Sequence, residues 1–75
     1  MGMKQQDSAR VEAYLRRLFR NDLLNVVFRP KDGSAEVLMD EEFIGVLFQD
    51  DEDGEISYSF TMAILEEDLP SMRRR

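Results

Sequence analysis

Cysteine and histidine are both missing from this 75-residue sequence. Without cysteine there can be no disulfide, no thiolate zinc site and no thiol nucleophile. Without histidine the commonest general base and the commonest metal ligand go together, which weighs against hydrolytic and group-transfer chemistry. Ser34, Ser57 and Ser59 have no imidazole to activate them, and the two lysines, Lys4 and Lys31, fall in a terminal segment and a turn. The four glycines are isolated, so no glycine-rich phosphate loop is present. These absences lead to the expectation that the chain is not an enzyme and carries no cofactor.

Long apolar runs are missing too. Nothing approaches the roughly 18 residues needed to span a bilayer, and the polar N-terminus lacks the apolar core of a secretory signal. Gly2 follows Met1 as in a myristoylation signal, but Gln6 stands where that signal wants Ser or Thr. The expectation is a cytoplasmic protein that does not engage the membrane.

What is present is charge, unevenly placed. Residues 1–31 hold seven bases against three acids, residues 32–70 hold thirteen acids and no base, and Arg73, Arg74 and Arg75 close the chain. The net charge is -6. Such asymmetry either marks a binding surface or lets a basic element sit against an acidic one. The small size of the chain favours the second, internal pairing, because both halves must belong to a single domain spanning residues 1–75, ordered over about residues 7–66. Residues 1–6 and 70–75 are expected to be flexible.

From Asp7 the pattern is helical. Asp7 or Ser8 can cap the first turn, and Val11, Tyr14, Leu15, Leu18 and Phe19 recur at spacings of three and four, so they share one face. Arg10, Arg16, Arg17 and Arg20 fall opposite. Strand alternation begins at Leu24 and stops at Pro30; residues 30–33 form a turn and residues 34–39 a second strand. A tight turn at Glu41 and Glu42 leads to a third strand over residues 43–48, and an acidic loop to a fourth over residues 56–65.

Placing core residues opposite one another sets Phe28 against Ala35, Val26 against Val37 and Leu24 against Met39. It then sets Val37 against Val46 and Ala35 against Phe48, and finally Phe48 against Ile56 and Val46 against Tyr58. The fold class expected is therefore α+β, an N-terminal amphipathic helix packed on one face of a four-stranded antiparallel β-meander. In that register Val27, Leu38, Phe43, Gly45, Leu47 and Ser59 lie on the outer face, which is more apolar than a solvated sheet face normally is. They form the expected interaction surface, with Gly45 and Ser59 as its floor. The inferred role is a small interaction module that self-associates, as a homodimer, or binds a protein partner through this face or a sheet edge.

Two other constellations carry less. The acidic turn (Asp50, Asp51, Asp53, Glu55) has the carboxylates a calcium or magnesium ion wants, but the calcium-loop template puts Phe60 where a bidentate Glu is required. A hairpin turn with Asp53 and Gly54 at its tip explains the same residues, so no metal site is expected, and a weak cation site stands as the alternative. The arginine face of the helix has the bases for phosphate, but the domain is acidic overall and no aromatics interleave them, so no nucleic-acid partner is expected.

The runs VEAYLRRLF, VVFRPKDGSAEVLM and DEEFIGVLFQDDEDGEISYSFTMAIL together make the chain resemble a short, uncharacterised bacterial domain-of-unknown-function family. The resemblance spans about residues 11–65. It implies a stand-alone bacterial cytoplasmic protein and brings no activity, ligand or functional residue with it.

Overall fold

The computed structural model describes residues 2–72; the triple arginine at 73–75 lies outside the described residues. One helix, α1 (Gln5–Phe19), precedes four strands, β1 (Leu24–Arg29), β2 (Ser34–Met39), β3 (Glu42–Asp50) and β4 (Ser57–Thr61), and a 3-10 turn at Glu66–Asp68. The strands form an antiparallel sheet in the order β1-β2-β3-β4, the expected meander.

The helix begins earlier than its sequence suggests. Lys4 is the N-cap and Asp7 caps from within, its carboxylate accepting the Lys4 amide at 3.1 Å. Residues 2–4, expected to fray, lie against the β1–β2 turn instead. The Met3 amide donates to the Gly33 carbonyl at 3.0 Å, and the Met3 side chain is only 2% exposed. A methionine in a polar run gives no periodic signal, so this anchor is invisible in the pattern. At the other end Arg20 takes a left-handed conformation, φ 56°, and its last-turn arginines face the negative end of the helix dipole.

The β1–β2 pair has the expected register, with Leu24 opposite Met39, Val26 opposite Val37 and Phe28 opposite Ala35. Its turn is fixed by Asp32, whose carboxylate accepts the Ser34 hydroxyl at 2.7 Å and the Ser34 amide at 3.2 Å. The Ser34 hydroxyl first, then its amide and the nearby Arg29 guanidinium, hold the Asp32 carboxyl below its usual value of 3.8. A lowered value means these contacts stabilise the fold above the ordinary carboxylate range and are lost as the pH falls through the folded-state value. Carboxyl titration by NMR is therefore expected to place Asp32 below 3.8, and Ser34→Ala to move it back up.

The second hairpin departs from expectation. The turn residues are Asp40 and Glu41, both at positive φ (52° and 70°), one position earlier than expected, and Met39 lies opposite Glu42. A bulge follows between Val37 and Leu38, with Leu38 opposite Phe43 but Val37 opposite Gly45, so that Ile44 is the extra residue. From there the register is one residue off the expected one, Ala35 facing Leu47. Two adjacent left-handed residues match a type I′ turn, whose usual letters are Asn-Gly; Asp-Glu hides it. Replacing Asp40 and Glu41 by Asn and Gly is expected to stabilise the protein by about 1–2 kcal/mol. A rise in thermal midpoint of roughly 4–8 °C per kcal/mol would register it.

A one-residue slip reverses the faces of a strand. Gly45 and Leu47, expected outside, point to the core, while Val46 and Phe48, expected inside, point out. The third pairing is also shifted by an odd number, with Leu47 opposite Phe60 and Gln49 opposite Tyr58, so Tyr58 and Phe60 face inward as expected. Ile56 falls in the loop, 62% exposed, and β4 ends at Thr61 rather than Leu65. The buried centre is Met3, Leu15, Leu24, Ala35, Val37 and Leu47.

Candidate interaction surface

The position of α1 decides which surfaces stay open. Arg16, placed by periodicity on the solvent face, reaches sideways, its Nε donating to the Leu24 carbonyl at 2.7 Å and a terminal nitrogen to the Asn25 side chain at 2.9 Å. Glu12, one turn earlier, accepts the Val26 amide at 2.9 Å and lies 3.8 Å from Arg16. Together these two side chains satisfy backbone groups along β1 and hold the helix beside that strand. The i,i+4 spacing of Glu12 and Arg16, on the flank of the apolar stripe, was the available sequence signal.

Held there, α1 packs chiefly against β1. Of the five apolar residues expected to bury, only Leu15 does so fully and Val11 in part; Tyr14, Leu18 and Phe19 are each about half exposed. On the inner face Gly45 and Leu47 of β3 are buried, while Tyr58 and Phe60 of β4 are only partly covered. Between α1 and β4 runs a groove of about 400 Å³, walled by Val11 and Tyr14 on one side and Tyr58 and Phe60 on the other, floored by Leu15 and Leu47. Asp7 and Arg10 stand at its rim.

The outer face of the sheet carries apolar residues as well. They are Val27 on β1, Leu38 on β2, and Phe43, Val46 and Phe48 on β3, with Val27, Phe43 and Phe48 about half exposed. Of the expected surface, Val27, Leu38, Phe43 and Ser59 lie on this side, Ser59 opposite Phe48. Gly45 and Leu47 do not belong to it. Val46 and Phe48, which take their places, make the face more apolar than the sequence suggests. A second groove, about 580 Å³, crosses its lower end past Phe43, Val46, Ala63 and Leu65. Beyond β4 the chain continues as an extended arm whose Met62, Ile64, Leu65, Leu69 and Met72 are all exposed.

The charges are paired only in small part as the sequence suggests, through Arg29 with Asp32 and Glu36. Among the described residues the ion pairs are Arg10–Asp7, Arg16–Glu12, Arg29–Asp32 and Arg29–Glu36, so the helical arginines that pair there do so with acids of their own helix. Among the described residues neither Arg17 nor Arg20 forms an ion pair, and neither do the acids of residues 50–55 and 66–68. Arg17 instead lies over the Tyr14 ring, 6.0 Å from its centroid.

The acidic turn has ordinary turn geometry. Asp50 accepts the Glu52 amide at 3.0 Å and the Gly54 amide reaches the Asp51 carbonyl at 3.3 Å. Among the described residues no three acidic side chains come together as a metal site would need. No helix among them is long and apolar enough to cross a membrane.

A small α+β module with a part-open groove beside β4 and apolar residues on the outer face of its sheet is thus the class of protein defined here. The family model described as a protein of unknown function, DUF3126, matches residues 7–68, and the chain belongs to that family. The match runs from the first turn of α1 to the end of the 3-10 turn, so the arm through Asp68 is part of the family domain. No curated protein and no solved structure matches the chain.

Proposed function

We propose that this domain is a protein-interaction module and that the β3–β4 half of its sheet is the surface it presents. The observation carrying this reading is the groove between α1 and β4, apolar on its floor and on both walls, left open because Glu12 and Arg16 hold the helix over the other half. Its aromatic walls are the residue types that dominate protein interfaces. Phe43 and Phe48 on the reverse side extend the apolar surface around β4, whose backbone edge has no neighbouring strand among the described residues. A 75-residue chain has a small core, and covering this half would add apolar burial that the monomer lacks.

The test is a photoreactive phenylalanine analogue placed at Tyr14 or at Phe48, with Lys31 as the control position, irradiated in the source cell. Covalent adducts to protein at positions 14 and 48 but not 31 are expected. Irradiation that leaves both positions unmodified overturns the reading.

A further inference from the structure

Resting on that reading, we infer that the occupant of the groove is a second copy of this chain, whose C-terminal arm lies along α1 of its partner, each protomer giving an arm and receiving one. The arm leaves β4 beside the first residues of its own β3, where Met62, Ile64 and Leu65 border a groove with Phe43 and Val46, but its body covers it only in part. The radius of gyration is 14.6 Å and the molecule is 51 Å long, against about 11 Å expected for a compact chain of this size. Its apolar residues Met62, Ile64, Leu65, Leu69 and Met72 stay 44–80% exposed, yet the segment through Asp68 falls within the family match, so it is a part of the domain and not an appended tail.

Arm and receptor are complementary in composition and placed at the same end. On the arm, Ile64 and Leu65 precede three exposed carboxylates, Glu66, Glu67 and Asp68, and Leu69 follows. On α1, Tyr14 lines the groove, and beyond the groove toward the end of the helix the exposed Leu18 and Phe19 are interleaved with Arg17 and Arg20, neither in an ion pair among the described residues, so the incoming arm crosses this last turn to reach the groove. Thr61 pairs with Val46 and the chain then heads toward the start of β3, which is the end where α1 stops and β1 begins. A two-fold axis near that end brings each arm to the other's helix, and the contact closes at two copies. The same end carries Asp22 and the turn acids Asp40, Glu41 and Glu42, so attraction must come from α1 itself and not from a generally basic pole.

Sedimentation equilibrium of the full chain tests this, with a mass near twice 8.8 kDa expected at micromolar concentration. Reversing the arm (Glu66→Lys, Glu67→Lys, Asp68→Lys) is expected to weaken the dimer by about tenfold or more at low salt. Reversing the helix (Arg17→Glu, Arg20→Glu) is expected to do the same. An equimolar mixture of the two must recover the dimer, since each arm then meets an opposite charge. Ile64→Ser, a change at an exposed position, is expected to weaken the dimer without rescue by mixing. A monomeric full chain, or a dimer indifferent to all these variants, overturns arm exchange. A monomer whose position 14 still cross-links to another protein does so while leaving the interaction-module reading standing; loss of both the dimer and the cross-link overturns the two together.

Discussion

Leu47→Asp is expected to leave no cooperatively folded protein, while Phe48→Asp, one residue along, folds with a stability within about 1 kcal/mol of the parent. Leu47 is 2% exposed at the centre of the inner face, paired with Ala35 on one side and Phe60 on the other. Trimming it to alanine alone costs about 2–5 kcal/mol through lost burial and the cavity left behind. Placing a carboxylate there adds the desolvation of an unpaired charge. A chain of this length has only about 4–11 kcal/mol of stability in all, so the sum exceeds or exhausts it. Phe48 is half exposed on the other side of the same strand and leaves little behind when replaced. Far-UV circular dichroism and urea titration of the two variants decide the matter. A folded Leu47→Asp beside an unfolded Phe48→Asp would mean that β3 presents its faces the other way round.

Gly45→Ala is expected to destabilise by about 1–3 kcal/mol, the usual cost of forcing atoms into a filled site. A Cβ built on Gly45 would stand 2.5 Å from Cε1 of Phe60, 2.6 Å from the carbonyl oxygen of Thr61 and 3.0 Å from the Cβ of Met62. The phenyl ring can swing away, but the Thr61 oxygen is backbone, and moving it disturbs the end of β4. The sign of the effect is the discriminating quantity. On an open face, replacing a strand glycine by alanine stabilises by roughly 0.5–1 kcal/mol, because glycine loses more conformational freedom on folding. Urea midpoints at unchanged slope therefore separate a glycine required by close packing from one that merely floors a surface.

These two residues also mark where sequence reasoning stopped working. The β1–β2 register follows from hydrophobic alternation and a turn with proline and glycine at its ends, both strong local signals, and Leu24, Val26 and Phe28 face their partners as expected. Beyond Met39 the turn is written Asp-Glu, which does not announce a type I′ geometry, and Ile44 is inserted as a bulge. Phe43, Ile44, Val46, Leu47 and Phe48 are apolar on both parities, so alternation could not tell the faces of β3 apart. Tyr58 and Phe60 came out on the correct face because two odd shifts cancel, not because the register was right. For the helix, periodicity identified the apolar stripe but could not say how much of it the sheet would cover. That depends on Glu12 and Arg16, whose partners are backbone groups of β1 and leave no trace in a hydrophobic pattern. The charge division was legible; that pairing between its two sides would be limited, among the described residues, to Arg29 with Asp32 and Glu36 was not, since pairing depends on which ends of the fold come together.

The contacts of Glu12 and Arg16 with β1 bear on more than where the helix sits. A sheet with two free edges can add a copy on each side and go on doing so, which is the route to fibres. Here the amide of Val26 and the carbonyl of Leu24 on the β1 edge already have side-chain partners, so a strand added there would have to displace Glu12 and Arg16. A copy joined through β4 would bring its own part-closed β1 edge to the far side. One carboxylate and one guanidinium thus close part of an edge, which works against the growth of a chain with an exposed apolar strand into a polymer.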